Sequence, residues 1–242
     1  MSMKSSKVVR SNDLIRATHQ LKLSEQKLLL LVLVDVQSDQ REYSVRATDY
    51  SKAYGVVKQA AYEALKEAGE SLFNQSLWVK EHTGQRQMRW CSSVFYSKED
   101  NKISLRFTEE IMPLLVGLKE RFTIITLDQI KNFRSAHALR LYEWCKSHQS
   151  QGGFTITVED FRSRLSLSPD YRQDNIQSRI IKPAMLQINK TDLQVSVLPN
   201  KDGVRVVAYD FKISARNKEQ PVKQKPDNRS EVHSTPPAFK LY

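Results

Sequence analysis

The chain has 242 residues, enough for one large domain or two of about 100–150. Its 40% hydrophobic content supplies real cores and excludes wholesale disorder. A net charge of +11 points to a polyanionic partner, nucleic acid first and an anionic membrane surface second. Cys91 and Cys145 have no metal-ligand spacing and read as reduced packing residues of a cytoplasmic protein. No apolar run follows residues 1–6, so no signal peptide is expected. The apolar run at 28–34, bracketed by Lys27 and Asp35, falls short of the roughly 20 residues that cross a bilayer and reads as a core helix.

In chain order, residues 1–11 are polar and basic and are expected to form a mobile arm. Ser11 or Asn12 caps a short helix over 13–19, and Ser24 caps a helix over 25–36, with Glu25 in its first turn. That second helix is apolar on nearly every side and must be surrounded by protein. Residues 47–54, Gly55 and residues 57–73 give helix, tight turn and helix, the order of a helix-turn-helix. Strand-like runs follow at 77–81, 87–96 and 102–107, with turn signals at 82–84 and 98–101. Thr108 caps a predicted helix over 109–118, which Pro113 should bend. Helices, a helix-turn-helix and a β-hairpin together make one winged-helix unit.

The plan then repeats. Thr126 begins a helix over 127–133, and Ser135 caps one over 136–148, with Leu139, Tyr142 and Cys145 on one side. A strand at 154–157 leads to a helix over 158–165, where Thr157 and Asp160 form a weak capping box. After a turn at 166–169 come a long helix over 173–190 and strands at 193–198 and 204–213, folded about residues 200–203. The expected fold is therefore α+β: two tandem winged-helix domains, 1–120 and 121–215, joined near residues 119–121. The Pro-containing polar segment 216–242 is expected to be a disordered tail.

On the wheel of the 173–190 helix, Ile176, Ile180, Ile181, Ala184 and Ile188 gather on one side, and Gln177 leans towards them. Asn175, Ser178, Arg179, Lys182 and Asn189 gather on the other. This stripe offers donors and no acids, as phosphate oxygens and the major-groove edges of guanine and adenine require. Arg179 is the best candidate base-reader, because a guanidinium can pair twice with guanine. Arg172 and Gln173 lie at the N-terminal end, the part of a recognition helix that usually enters the groove. A plain solvated face is the competing reading. Against it, Arg162, Arg164, Arg172, Arg179, Lys182 and Lys190 face only Asp170 and Asp174 over residues 162–190, so 6 − 2 = +4. Pro183 should kink the helix, either curving it around a groove or helping it pack. Lys201 and Arg205 in the hairpin are candidate phosphate contacts.

The corresponding first-half helix exposes Gln59, Tyr62, Glu63, Lys66, Glu67 and Glu70, a mixed face that partly repels phosphate. Lys58 and Gln59 at its start are candidate auxiliary DNA contacts, and its hairpin is left for protein pairing. Catalysis has little support. The histidines show no paired metal spacing, and the seven glycines make no phosphate-cradling loop. There is no GxSxG elbow. Tyr171 has no partner in sequence for a nicking reaction, and no cofactor is expected.

Several segments resemble the iteron-binding plasmid replication initiators. They are residues 11–14 (SNDL), 107–115 (FTEEIMPLL), 118–122 (LKERF), 138–144 (ALRLYEW), 179–184 (RIIKPA) and 187–189 (QIN), in the family's order. The resemblance spans about residues 9–213 and leaves out the tail. It implies two winged-helix domains, the second making the main major-groove contacts and the first carrying a dimer interface. It implies binding to double-stranded origin repeats as a monomer, opening of adjacent AT-rich DNA, and recruitment of host replication initiator and helicase, with chaperones as further partners. It also implies repression of the protein's own gene by a homodimer at an inverted repeat. Arg179 falls on a family base-contacting position and Arg172 or Gln173 near another. Ser178 stands where relatives often place a second arginine. A dimeric winged-helix repressor without origin function shares the fold and site, so only the DNA target separates the two readings.

Overall fold

A computed structural model describes residues 7–37, 39–116, 122–168 and 170–216. The expected arm is corrected at once. Residues 7–11 form strand β1 (Lys7–Ser11), whose alternation turns Val8 and Arg10 inward. Ser11 caps α1 (Asn12–Arg16) as predicted, its hydroxyl accepting from the Leu14 amide at 3.1 Å. The helix stops at Arg16, and the short strand β2 (Thr18–His19) replaces its predicted last turn. α2 (Leu23–Val32) starts after Lys22 instead of Ser24, because the Glu25 carboxylate accepts from the Lys22 amide at 2.9 Å. It ends at Val32, short of residue 36, and is surrounded by protein as its apolar run requires: Leu28, Leu29, Leu30 and Val32 are buried.

Strand β3 (Glu42–Arg46) was not predicted, although Tyr43 and Val45 alternate inward. The helix-turn-helix follows as expected: α3 (Ala47–Tyr54), Gly55 at φ +67, and α4 (Lys58–Asn74). The left-handed backbone at that turn favours glycine. Next come β4 (Ser76–Lys80), β5 (Gln85–Arg89), β6 (Cys91–Ser97) and β7 (Lys102–Phe107). The single strand predicted over 87–96 is thus two. Pairing of β5 with β4 ends at Arg89, fully buried Trp90 turns into the core, and β6 joins a different sheet. The two sheets run β2-β4-β5 and β3-β7-β6.

α5 (Met112–Val116) is also shorter than predicted. The Thr108 hydroxyl donates to the Arg89 carbonyl at 2.8 Å, and the helix begins after the two glutamates. Pro113 then lies in the first turn, where its missing N–H leaves no hydrogen bond unmade and no bend is required.

β8 (Phe122–Thr126) pairs antiparallel with β1, from Lys7↔Thr126 to Ser11↔Phe122. This sheet crosses the expected 120/121 boundary, whose linker, 119–121, lies outside the described residues, as do arm residues 1–6 and tail residues 217–242. α6 (Leu127–Ile130) and α7 (Ala136–Ser147) follow, the latter capped by Ser135. β9 (Gly153–Thr157) leads into α8 (Val158–Arg164), where the Thr157 hydroxyl accepts from the Asp160 amide at 3.1 Å. The long helix is three segments: α9 (Gln173–Asn175), a π-helical turn (Ile176–Ile181) and α10 (Lys182–Ile188). β10 (Leu193–Asp202) and β11 (Arg205–Ala215) complete a β10-β11-β9 sheet.

α7 is the post that holds both halves. Residues 138–145 are all buried, among them Leu139, Tyr142 and Cys145. Towards the start of the chain, Arg140 Nη2 donates to the Ala17 carbonyl at 2.7 Å and Trp144 Nε1 to the Ile15 carbonyl at 3.1 Å. Glu143 forms a buried ion pair with Arg10. Towards the second half, the Tyr142 hydroxyl and the Lys146 ammonium reach Asp192 at 2.9 and 2.5 Å. Cys91 and Cys145 are free and buried, and desolvation pushes the Cys91 thiol up to about 12. That is the state of a packing residue and not of a nucleophile.

Candidate nucleic-acid interface

The apolar side of the 173–188 helix is as the wheel places it. Ile176, Ile180, Ile181, Ala184 and Ile188 are buried, and α10 packs on α7. Ser178, Arg179 and Lys182 are exposed on the opposite side, and Asn175 is half-buried.

The π turn gives Pro183 a physical account. The Lys182 amide reaches the Gln177 carbonyl, five residues back. In a regular helix the Pro183 ring would press on the Arg179 carbonyl and leave it without a donor. Widening the preceding turn relieves that clash and lets the helix restart with proline in its first turn. A π turn often marks a functional stretch, and here it contains Ser178 and Arg179.

The polar side chains differ in what they are free to do. Arg179 and Lys182 have no hydrogen-bonding or ionic partner among the described residues, so both guanidinium and ammonium are available to a ligand. The Ser178 hydroxyl donates back to the Asp174 carbonyl at 2.7 Å but keeps its acceptor lone pairs. Arg172 lies 3.4 Å from Asp174, with both side chains largely exposed, a pair that water and salt weaken. Gln173 is half-buried, its amide donating to the Tyr209 hydroxyl at 2.5 Å.

Asn189, expected on the polar stripe, is corrected. Its side chain accepts from the Val195 amide at 2.7 Å and donates to the Val195 carbonyl at 3.0 Å, clamping the helix end to the hairpin. Helical periodicity cannot anticipate this, because the partner belongs to the next element.

The hairpin is longer than predicted. Its strands pair down to Asp202↔Arg205, so the turn is Gly203-Val204 and not residues 200–203. Gly203 has φ +57, which suits a two-residue hairpin turn. Lys201 and Arg205 are exposed beside this tip, and Val204 is 99% exposed. A groove of about 580 Å³ runs between α8 and the hairpin, bringing Gln173 and Arg205 together with Thr157 and Arg162. Arg162, which sequence reading only counted as charge, is braced there by donating to the Ser168 and Tyr171 carbonyls.

In the first half, Lys58 and Gln59 are exposed at the start of α4, beside Val57 at 67% exposure. Glu63, Lys66, Glu67 and Glu70 are exposed farther along, so the mixed charge of that face is real. Among the described residues no group of three His, Cys, Asp or Glu side chains is placed to hold a metal ion. No described helix is long and apolar enough to cross a membrane.

Two winged-helix units, the second presenting a basic helix and hairpin, define a protein of the tandem winged-helix class. Residues 7–146 match the family described as initiator replication protein, WH1, and residues 157–213 its second part, WH2; the chain belongs to this family. A replication initiation protein of Escherichia coli is 24% identical over 197 residues, covering 75% of this chain and 61% of the relative. The PI protein of Escherichia coli is 23% identical over 204 residues, covering 72% and 67%. The chain therefore spans about three-fifths of the first relative's length. The crystal structure of the Pi initiator protein in complex with iteron DNA superposes with a TM-score of 0.70. It is 20% identical and covers 88% of this chain and 98% of that one. At that identity the likeness establishes the fold.

Proposed function

We propose that the protein is a plasmid replication initiator that binds repeated double-stranded DNA sites of an origin sequence-specifically. The observation that carries this reading is the free pair Arg179 and Lys182 on the exposed side of the 173–188 helix, in a chain of the initiator family. Arg179 reads a base edge. Ser178 and Asn175 lie beside it and Lys182 contacts phosphate. Arg172 and Gln173 approach the DNA from the helix start, and Lys201 and Arg205 hold the backbone from the hairpin. Lys58 and Gln59 add a secondary contact from the first unit. A relative solved with iteron DNA supports the choice of target.

The first unit, into which strand β8 is paired across the expected 120/121 boundary, serves self-association and secondary contacts, and the second serves recognition. The monomer acts at the origin, opening it and recruiting host replication initiator and helicase in the cytoplasm without chemistry of its own. The dimer represses its own gene. Footprinting on the DNA flanking the gene tests this. Protection of tandem direct repeats beside an AT-rich stretch is expected; a lone protected palindrome at the promoter would make the protein a repressor only.

A further inference from the structure

The buried charge around α7 does not balance. Arg10 and Arg140 are each 2% exposed and have one fully buried carboxylate between them, that of Glu143. Glu143 is committed to Arg10, and its second oxygen lies 3.8 Å from Arg140 Nη1, beyond hydrogen-bonding distance. Arg140 spends Nη2 on the Ala17 carbonyl, which leaves Nε and Nη1 without acceptors among the described residues. A buried guanidinium with unmet donors is costly unless an anion or ordered acceptor completes it.

Arg140 lines a cavity of about 250 Å³ at the seam between the halves. His19, Gln26 and His137 line it too, and Arg164 and Ser166 reach it from α8 and the turn that follows. Among the described residues no acidic side chain lines it. The guanidiniums of Arg140 and Arg164 both lie over the Trp144 ring, at 5.8 and 6.0 Å from its centroid, two like charges gathered at one place. Among the described residues, Arg164 has only the exposed Asp160, at 3.9 Å, to offset it. His19 is buried and held neutral by desolvation and by the charges of Arg140 and Arg10. Its Nδ1 accepts from the Leu21 amide at 3.4 Å, which puts the ring proton on Nε2, a donor with no partner among the described residues. The Gln26 carbonyl oxygen also lacks a donor.

We infer that this seam cavity is a binding site for a small oxyanion carrying a phosphate group. Arg140 and Arg164 supply charge-assisted hydrogen bonds, His19 a neutral donor, and Gln26 an acceptor for the P–OH of a hydrogen phosphate. The ligand bridges residues 19–26, α7 and α8, and so ties the first half to the second. The site is separate from the exposed helix face proposed to meet DNA, and duplex phosphates, carried on a thick rod, do not enter a seam of this size.

The test uses the full chain without DNA. Inorganic phosphate is titrated against chloride at constant ionic strength, with melting temperature and calorimetric heat as readouts. A nucleoside triphosphate and inorganic phosphate form parallel arms: tighter binding of the former assigns the group to a nucleotide, equal or weaker binding to free phosphate. Saturable stabilisation is expected. Arg164→Gln, at a partly exposed side chain, should weaken it roughly tenfold or more, the loss of one charge-assisted contact. Arg179→Gln, on the helix face, should leave it unchanged. Arg140→Gln should abolish it, but if that variant fails to fold, Arg164→Gln and His19→Gln decide. Non-saturable stabilisation, or equal binding by wild type and Arg164→Gln, overturns the assignment. So would a midpoint that moves with Arg179→Gln, which would place the bound phosphate on the DNA face.

Discussion

The two helices that end the two helix-turn-helix units are built alike inside and oppositely outside. In α4, Ala61, Leu65, Ala68 and Leu72 form a buried stripe; in the 173–188 helix Ile176, Ile180, Ala184 and Ile188 do the same. Outside, α4 carries Lys58 and Lys66 against Glu63, Glu67 and Glu70, so 2 − 3 = −1. Residues 173–188 carry Arg179 and Lys182 against Asp174, so 2 − 1 = +1, with Arg172 and Lys190 flanking. One architecture therefore carries a mixed, net-negative helix face in one unit and a net-positive one in the other. The difference lies in side chains whose loss would leave the fold standing, so winged-helix geometry alone does not assign a ligand to either unit.

The largest expected effect erases the likeness inside. Leu65→Ala and Ile180→Ala should each cost about 2–5 kcal/mol of stability in chemical denaturation, since both side chains are buried in close-packed cores. A much smaller loss for Ile180 would mean that the π turn leaves that helix loosely packed. Outside, the variants should diverge. Arg179→Ala should weaken binding to the specific site by roughly 1–3 kcal/mol while non-specific binding falls less. Equal loss on every sequence would demote Arg179 to a phosphate contact.

A pH titration separates the shared α7 post from either helix. His19 has its folded-state pKa lowered, by burial first and then by Arg140 and Arg10. Protons therefore bind the unfolded chain preferentially as pH falls below 6.5, and stability is lost on acidification, by at most about 1.4 kcal/mol per pH unit for one such site. His137, lowered by burial and then by Arg140, works in the same direction. His19→Gln should flatten the slope between neutral and mildly acidic pH. An unchanged slope would remove His19 from the account. Smallest of all, Lys201→Ala and Arg205→Ala should each reduce the logarithmic salt slope of DNA binding by about 1, with little change in preference. A changed base preference would mean that the hairpin reads sequence.

What the sequence made legible, and what it did not, follows the range of the forces involved. The helix-turn-helix of the first unit, the Ser11, Ser135 and Thr157 caps and the buried stripe of isoleucines are local, and local spacing reveals them. Residues 7–11 were misread because a basic segment looks solvated until Glu143, far along the chain, turns out to receive Arg10. The break at Trp90 was hidden for a similar reason: β5 and β6 read as one apolar-alternating run, and only pairing with β4 and β7 shows that they serve different sheets. The π turn was half legible, since Pro183 announced a disturbance but not that the widening would come before it. Of the candidate site, Arg179, Lys182 and Ser178 were readable from the wheel, whereas Asn189 and Gln173 are held by Val195 and Tyr209 through contacts that no periodicity encodes.

The most direct test of the central claim compares Arg179→Ala with Lys58→Ala in the full chain. For each, affinity is measured for the footprinted repeat and for a scrambled duplex at one salt concentration. Arg179→Ala is expected to collapse the ratio of specific to non-specific affinity by roughly tenfold or more, while Lys58→Ala weakens both duplexes together and keeps the ratio. A ratio lost with Lys58→Ala and kept with Arg179→Ala would contradict that claim and move recognition to the first unit.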